Sequence, residues 1–573
     1  MLGERSWIRY YPAEVAPSFD YPKHNVAQLL VQAATEYPDR TAIEFMGVSL
    51  TYRELLESAY RFANGLHSLG VKTSDRVAIM MPNCPHMVIA YYGTLLIGGI
   101  VVMTNPLYME GELAFQLNDS GAKVIVTLDI LFPRVHLVKR NTPLQQFIVG
   151  SIREYLPFPK SLLYPLKAKK DGQSLDIPDV PGVFRFKSWL KSCSADPVSC
   201  PVDAEHDIAM LQYTGGTTGT AKGVMLTHYN LVSNAIQTAN WFFEARRGQE
   251  IFLAALPCFH VFGLTVLLNY AMHLAGVLVL LPRFDTKQVL ETIQKMRPTV
   301  FPGAPTMYIA INHHKEVHKY DLSSIKACVS GSAPLPLEVQ ERFESITGGR
   351  LIEGYGLTEA SPVTHANPLK GLRKNGTIGI PFPDTEAKIV HSETREPLPA
   401  GEIGELAVRG PQVMKGYWNR PEETQAVLNE GWLLTGDLAK MDEDGFFTIV
   451  DRKKDMINAS GFKVYPRDVE EVLFEHPSVK EAVVIGVPDA YRGETVKAFI
   501  VRSEGLNVSE EKLEEWCRGR LAAFKVPRIY EFRDELPKTM VGKVLRRKLI
   551  EEETLRRQQE KKQEIETNPP HSE

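Results

Sequence analysis

Two rhythms of apolar and polar positions take turns along the first part of the chain. "TAIEF" reads as a strand. The segment after it opens with Thr51 and Glu54 at capping-box spacing, then places Leu55, Ala59, Phe62, Ala63, Leu66 and Leu69 on one face, as an amphipathic helix does. "DRVAIMM" follows as strand, "PHMVIAYYGTLLIGG" as helix, "IVVMTNP" as strand, "GELAFQLNDS" as helix and "AKVIVTLD" as strand. Such alternation predicts an α/β domain on a largely parallel sheet. Residues 157–200 are irregular and rich in Pro and Lys, which predicts a surface excursion. Alternation resumes at "HDIAMLQYT". From Gly376 to Val450, short strands with Gly and Pro turns ("GEIGELAVRG", "GFFTIV") predict an all-β portion. Beyond "DRKKDMI", the helix "DVEEVLFEH", the strands "EAVVIGV" and "VKAFIVR", the helix "EEKLEEWCRGRLAAF" and a last basic helix predict a compact α+β unit. The tail "EEETLRRQQEKKQEIETNPPHSE" is charged and is expected to be frayed or disordered.

Two runs are apolar enough to raise the question of a membrane span: His86 to Met103 and Phe262 to Pro282. The first holds a glycine pair and turns β-branched at Ile100, like a buried helix leading into a buried strand. The second carries Asn269 and His273 near its middle, which are unfavourable in lipid. Both are therefore read as protein core, and peripheral membrane contact stays open. The 573 residues exceed what one core usually serves, so more than one domain is expected. A formal net charge of -4 and the lack of a long basic run argue against nucleic-acid binding. The six cysteines form no C-x-x-C pair, which argues against a zinc site or disulfide framework and fits a reducing compartment. The opening "MLGERSWIRYYPAEV" has early charges and no apolar run, so no secretory signal is expected and the location is read as cytoplasmic.

Four stretches carry candidate chemistry. In "YTGGTTGTAKG", a strand delivers Thr214, Gly215, Gly216, Thr217, Thr218 and Gly219, whose unobstructed N–H groups suit an anion-binding concavity. Threonine hydroxyls and Lys222 add donors. The common phosphate loop reads G-x-x-x-x-G-K-[ST]; here Lys222 precedes its glycine and no Ser or Thr follows. A flexible turn is the plain alternative. In "GYGLTEASP", Thr358 and Glu359 suit a magnesium ligand beside phosphate, since Mg²⁺ takes one or two carboxylates with water and phosphate oxygens. Alone, they read better as a Thr-Glu pair at a helix N-terminus. In "WLLTGDLAKMDEDGFFTIVDRKKDMI", Asp437 offers two acceptors to a ribose diol and Arg452 lies within reach of the same group, on the ends of a hairpin turning at Asp444-Gly445. In "PKTMVGKVLRRKL", Lys543 sits on an exposed turn or, more plainly, at the start of a basic helix.

Taken together and in this order, the four stretches resemble those of the adenylate-forming enzymes: acyl-CoA synthetases, aryl-CoA ligases, adenylation domains and luciferases. Ala221 stands where many members have proline. The stretch from "EGWLLTGD" to "PRDVEEVL", with "NPLYMEGEL" (Asn105 to Leu113), most resembles long-chain fatty acyl-CoA synthetases within that family. The resemblance implies a large N-terminal domain (1–453) of two α/β subdomains plus a β-barrel-like subdomain, then a small mobile α+β C-terminal domain (454–573). It implies ATP, Mg²⁺, coenzyme A and a fatty acid as the reacting small molecules. The implied reaction makes acyl-adenylate and pyrophosphate, then the thioester and AMP.

By the same resemblance, Thr214 to Lys222 cradle the β- and γ-phosphates, and Thr214 and Glu359 bind the metal. Thr358 contacts the α-phosphate, and Asp437 and Arg452 hold the ribose. Gly331, Ser332 and Ala333, with Glu353, Gly354, Tyr355 and Gly356, line the adenine. Lys543 bridges the carboxylate and the α-phosphate, and Lys454 is the hinge. Ser460, Gly461, Phe462 and Lys463 reach the site for the second half-reaction. His260 and Leu264 sit on the acyl side, where Leu264 occupies the place of an aromatic gate in some long-chain members. The walls of an acyl tunnel are expected from Phe259 to Leu281, a run that reads equally as plain core. A different carboxylate or a carrier-protein acceptor, a luciferase-like oxygenase, and a non-catalytic fatty-acid binder are the rivals. A homodimer and contact with the inner face of the membrane stay open.

Overall fold

The computed structural model describes residues 5–172, 175–214, 221–459, 462–489, 492–539 and 544–567. The chain forms two compact units. The first comprises Met1–Ala387, Ala407–Leu433 and Glu443–Phe446; the second comprises Lys388–Leu406, Leu434–Asp442 and Phe447–Glu573.

In the first unit, the predicted alternation becomes an eight-stranded sheet. Its order is Gly416–Tyr417, Lys222–Thr227, Ile208–Thr214, Ile100–Met103, Arg76–Met80, Val124–Leu128, Gln146–Gly150 and Val183–Arg185. The run from Ile208–Thr214 to Val183–Arg185 is parallel throughout, and the strand Lys222–Thr227 turns back antiparallel on Ile208–Thr214. A second assembly of strands places Val48–Thr51, Thr41–Phe45, Val277–Leu280 and Ile251–Ala254 side by side. Val300 bridges Phe252 to Ala327, beyond which Ala327–Ser330 pairs in parallel with Arg350–Gly356. The helix Tyr52–Ser68 starts at the expected capping box, with the Glu54 N–H donating to Thr51 Oγ1 and the Thr51 N–H to Glu54 Oε2 (3.2 and 2.8 Å).

Both long apolar runs are core. The helix Pro85–Leu96 is buried at every residue, as a helix apolar all round must be. The second run begins as Val261–Gly263, passes through a π-helical turn at Leu264–Asn269, continues as Tyr270–His273 and ends in the strand Val277–Leu280. Its buried Asn269 accepts from Tyr92 Oη (3.2 Å) and donates to Tyr91 Oη (3.3 Å), so the first run satisfies the polar group of the second. Among the described residues, no helix is long and apolar enough to cross a membrane.

Residues 157–200 are more ordered than an irregular excursion. They hold the helices Lys160–Lys170 and Phe186–Ser192 and the strand Val183–Arg185, which closes the edge of the large sheet. Phe186 and Trp189 pack on Phe62 with ring centroids 5.9 and 5.5 Å apart. A few large rings give this segment its core without any visible periodicity. The regular structure of 376–450 is mainly short strands, as expected, with one helix, Pro421–Val427, which starts on a proline and carries Glu422 and Glu423 in its first turn.

In the second unit, Phe462–Val464, Ile457–Ala459, Gly493–Arg502 and Val479–Asp489 line up in that order, and Ile529–Arg533 pairs in parallel with Gly493–Arg502. Val469 and Leu473 of the helix Pro466–Phe474, and Leu513 of the helix Glu510–Arg518, belong to the same buried cluster as Val484, Ala498 and Ile500 of the sheet. The expectation of a frayed tail is corrected up to residue 567 by the helix Arg546–Thr567; residues 568–573 lie outside the described residues. Its Glu553, 5% exposed, accepts from Lys497, whose side chain has no exposure and also reaches Glu531, both at 2.7 Å. A buried ammonium requires such partners, and the terminal helix supplies one.

Candidate functional site

The parallel strand Ile208–Thr214 and its antiparallel neighbour Lys222–Thr227 form a hairpin in which Thr214 stands directly opposite Lys222. Gly215, Gly216, Thr217, Thr218 and Gly219, at its tip, lie outside the described residues. The two-residue strand Gly416–Tyr417 pairs on the far side of Lys222–Thr227, matching Tyr417 with Val224. That register puts the Tyr417 ring 5.0 Å from Lys222 Nζ. Lys222, only 13% exposed, is ion-paired with Glu423 at the start of the helix Pro421–Val427. Tyr417 Oη donates to Glu359 Oε1 at 2.8 Å, and the Glu359 carbonyl accepts from the Met414 N–H at 2.8 Å. Burial, and then the charge of Glu359, push the Tyr417 phenol well above its ordinary range, so it stays a donor to that carboxylate at neutral pH. Lys222 and Glu359, far apart in sequence, are thus linked through Tyr417, and Thr214 faces Lys222 across the hairpin.

Asp119 steadies this arrangement from behind. Its carboxylate accepts from Tyr213 Oη (2.7 Å) and pairs with Arg420 (3.0 Å), and its carbonyl accepts from Trp418 Nε1 (3.0 Å). The Trp418 N–H donates to the Gly223 carbonyl at 2.7 Å. The Gly416–Tyr417 strand is therefore held on both flanks.

The segments Gly331–Ala333 and Glu353–Gly356 lie at the carboxyl ends of the adjacent parallel strands Ala327–Ser330 and Arg350–Gly356, with Ser330 registered on Glu353. Ligands of open α/β sheets bind outside such strand ends. Ser332 adopts φ +73°, a left-handed conformation that a side chain adopts only when its surroundings enforce it. Gly331 has no room for a Cβ, which would come within 2.9 Å of the Phe262 ring; at Gly356 a Cβ would meet the Pro362 carbonyl at 2.1 Å. Tyr355 has the His365 ring edge-on at 6.0 Å, and burial pushes that imidazole down to about 3, so it is neutral. Thr358 and Glu359 form the short 3₁₀ turn Thr358–Ala360 just beyond.

His260 precedes the helix Val261–Gly263, and its Nδ1 accepts from the Phe262 N–H at 3.3 Å, as a helix cap does. Leu264 is fully buried in the π-helical turn. The neighbouring Thr265 hydroxyl donates to the Ser361 carbonyl at 2.5 Å, which ties this acyl-side candidate to the turn that carries Glu359.

In the second unit, Asp437 and Arg452 are direct cross-strand partners on the hairpin Trp432–Met441/Phe447–Arg452, with Nε and Oδ1 3.6 Å apart. Gly436, within the strand Trp432–Met441, adopts φ +74° just before Asp437, and the Asp437 N–H donates to Thr435 Oγ1 at 3.2 Å. Next to them, Asp451 is buried, which pushes its carboxyl up to about 6 against the pull of the Arg467 and Arg452 N–H groups (2.8 and 2.7 Å). Arg546 faces Asp455 (2.8 Å), Glu470 (2.5 Å) and Asp451 (4.0 Å). Lys454 is exposed at the hairpin's end. Phe462 stacks on Phe524 at 4.8 Å and Lys463 is exposed. Ser460, Gly461 and Lys543 lie outside the described residues.

Sequence reasoning missed Tyr417, Glu423, Asp119 and Arg546. Tyr417 sits on a strand too short to alternate, and its partner Glu359 is 58 positions away. Arg546 was within reach: it belongs to the same basic motif as Lys543, and a buried arginine requires acids around it. Among the described residues, no three His, Cys, Asp or Glu side chains converge as a metal cage.

The AMP-binding enzyme family matches residues 30–418, and the AMP-binding enzyme C-terminal domain matches residues 468–543. The chain is 52% identical over 555 residues to a long-chain-fatty-acid–CoA ligase of Bacillus subtilis (strain 168), covering 97% of this chain and 99% of that one. Among solved structures, it resembles the anthranilate CoA ligase AuaEII in complex with anthranoyl-AMP, with a TM-score of 0.82, 28% identity, and coverage of 93% of this chain and 98% of that one. It also resembles ATP-bound MatB from Rhodopseudomonas palustris, with a TM-score of 0.80, 30% identity, and coverage of 91% and 98%.

Proposed function

The chain belongs to the AMP-binding enzyme family, and from that premise we infer that it activates a long-chain fatty acid to its coenzyme A thioester with ATP. A carboxylate oxygen forms a bond to the α-phosphorus of ATP while the bond to the leaving pyrophosphate breaks. The sulfur of coenzyme A then bonds to the acyl carbon, AMP leaves, and the thiol proton passes to solvent. The observation that carries this reading is the near-complete alignment, at 52% identity, with the Bacillus subtilis ligase. ATP and coenzyme A as co-substrates, and free thiols at all six cysteines, fit a cytoplasmic reaction.

The residue roles are those implied by the family resemblance, supported for the described residues by the contacts given above. Lys222, held by Glu423 and resting on Tyr417, is the cation for the β- and γ-phosphates at the hairpin tip. A Mg²⁺ ion would supply charge neutralisation on the phosphates. The Thr214 hydroxyl and the Glu359 carboxylate are the hard oxygen donors that fit it, because Mg²⁺ keeps water and phosphate oxygens for most of its shell. Tyr417 orients Glu359. Gly331 to Ala333 and Glu353 to Gly356 are assigned to the adenine, Tyr355 to stacking, Thr358 to the α-phosphate, and Asp437 with Arg452 to the ribose. Lys543 is assigned to the carboxylate and α-phosphate in the first half-reaction. Ser460 to Lys463 are assigned to the second, after a rotation of the C-terminal domain about Lys454.

His260 and Leu264 border the acyl side, with the apolar run Phe259 to Leu281 behind them. Each buried CH₂ contributes about 0.8 kcal/mol, so a long chain supplies much of its own binding energy. No covalent enzyme nucleophile is required; positioning and charge stabilisation at the phosphoryl centre account for catalysis.

The test is carboxylate-dependent ATP–pyrophosphate exchange across acids of increasing chain length, repeated with coenzyme A and thioester detection. Exchange rising with chain length, thioester formation with free coenzyme A, and loss of exchange in Lys543→Ala are expected. Acyl-adenylate accumulating without thioester would favour a carrier-protein acceptor, and exchange surviving in Lys543→Ala would overturn the role of that lysine.

A further inference from the structure

Among the described residues, exposed large apolar side chains are most closely grouped on one short segment. On the helix Lys160–Lys170 and the residues leading into it, Phe158, Leu166 and Leu162 are the most exposed large apolar side chains among the described residues, at 79%, 68% and 67%. Leu163 adds 56%. Leu162, Leu163 and Leu166 are spaced i, i+1 and i+4, so they share one helix face. The opposite face is the packed one: Ala168 is buried, Ser161 and Tyr164 are partly buried, and burial pushes the Tyr164 phenol up to about 12. The helix therefore turns its leucines outward, the reverse of the usual orientation for a surface helix.

The charge around this face has one dominant sign. Arg153, Lys160, Lys169 and Lys170 are exposed. The nearby Glu154 is turned inward, 18% exposed and 2.8 Å from His86 Nε2, which leaves Asp171 as the exposed acid at the helix end. Protruding leucines and a phenylalanine flanked by lysines are the composition of an element that lies in the plane of a lipid interface. Four side chains cover a few hundred Å² at most, below the roughly 800 Å² per partner of a stable protein interface.

We propose that the face formed by Phe158, Leu162, Leu163 and Leu166, with Lys160, Lys169 and Lys170 at its rim, docks the enzyme on an anionic lipid surface. The contact element is thus distinct from the two long apolar runs, which are core. The binding measurement stands apart from the ligase reading, since it requires no turnover.

The full-length protein is mixed with phosphatidylcholine vesicles, with and without phosphatidylglycerol, and its partition is measured by flotation at low and moderate salt. Binding is expected to be stronger with phosphatidylglycerol and to fall as salt rises. Leu162→Asp/Leu166→Asp should weaken it by more than about tenfold. Lys160→Gln/Lys169→Gln/Lys170→Gln should weaken binding to the anionic vesicles by roughly fivefold per lysine removed, with little change on pure phosphatidylcholine. Both variants should keep the wild-type circular dichroism and the wild-type rate with a short, water-soluble acid; Leu163→Asp serves as a milder variant should the double one lose its fold. Failure of the wild type to bind, or equal binding by the folded variants, overturns the proposal. So does a sedimentation result in which the leucine changes split a dimer while vesicle binding persists, because the face would then serve a second copy of the chain.

Discussion

Two antiparallel hairpins carry opposite-strand functional pairs, one in each unit, and they hold their charges differently. In the first, Thr214 faces Lys222, but the charge of Lys222 is balanced by Glu423, which comes from a separate helix. In the second, Asp437 and Arg452 face each other across the ladder itself. A cross-strand pair is preset by backbone register, whereas a lysine paired with an outside acid exchanges that acid for a ligand by moving its flexible stem. The first design suits a group that departs with pyrophosphate, and the second a nucleoside that stays through both half-reactions.

That contrast is open to test by substitution. If Lys222 serves the leaving phosphates as proposed, Lys222→Ala should reduce exchange by about 100- to 1,000-fold yet leave thioester formation from supplied acyl-adenylate near wild type. Asp437→Ala should weaken the nucleotide interaction by about 10- to 100-fold, and in both half-reactions, because the AMP moiety is common to both. Equal losses by Lys222→Ala in the two half-reactions would erase the distinction between the hairpins. Tyr417→Phe sharpens the comparison at its smallest scale. It removes one hydrogen bond to Glu359 and keeps the ring under Lys222, so about a threefold to tenfold rise in the magnesium needed for half-maximal ATP binding by calorimetry is expected. An unchanged magnesium requirement would leave Tyr417 with a packing role only.

Much of this was legible in the chain. Strand–helix alternation read through to "AKVIVTLD" matches the observed elements because the buried strands are short apolar runs, the helix Tyr52–Ser68 keeps its 3.6-residue face and the helix Pro85–Leu96 is apolar all round. The candidate residues of the first unit were legible because phosphate and metal chemistry demands Gly, Thr, Lys and Glu in particular local orders. The supports were not. Tyr417 meets Glu359, and Asp119 meets Tyr213 and Arg420, only after strands from distant parts of the sequence have paired. The leucines of "KSLLYPLKAKK" show the other limit: periodicity marks a face as apolar but does not say whether anything covers it. In the tail, abundant charge suggested disorder, while the buried Glu553, together with Arg546 and Leu549, ties the helix Arg546–Thr567 down.

That same glutamate has a bearing on how the protein is made. Lys497 lies in the strand Gly493–Arg502, and its partners Glu531 and Glu553 are 34 and 56 residues further along. When that strand emerges from the ribosome, neither acid has emerged with it, and a buried ammonium without its counter-charge is unfavourable by roughly 3–5 kcal/mol. The strand can pair early with Val479–Asp489, but the sheet cannot close over Lys497 until the final helix arrives. Completion of this unit thereby waits for Glu553, 56 residues after Lys497, long after the strands of the first unit's large sheet have been delivered.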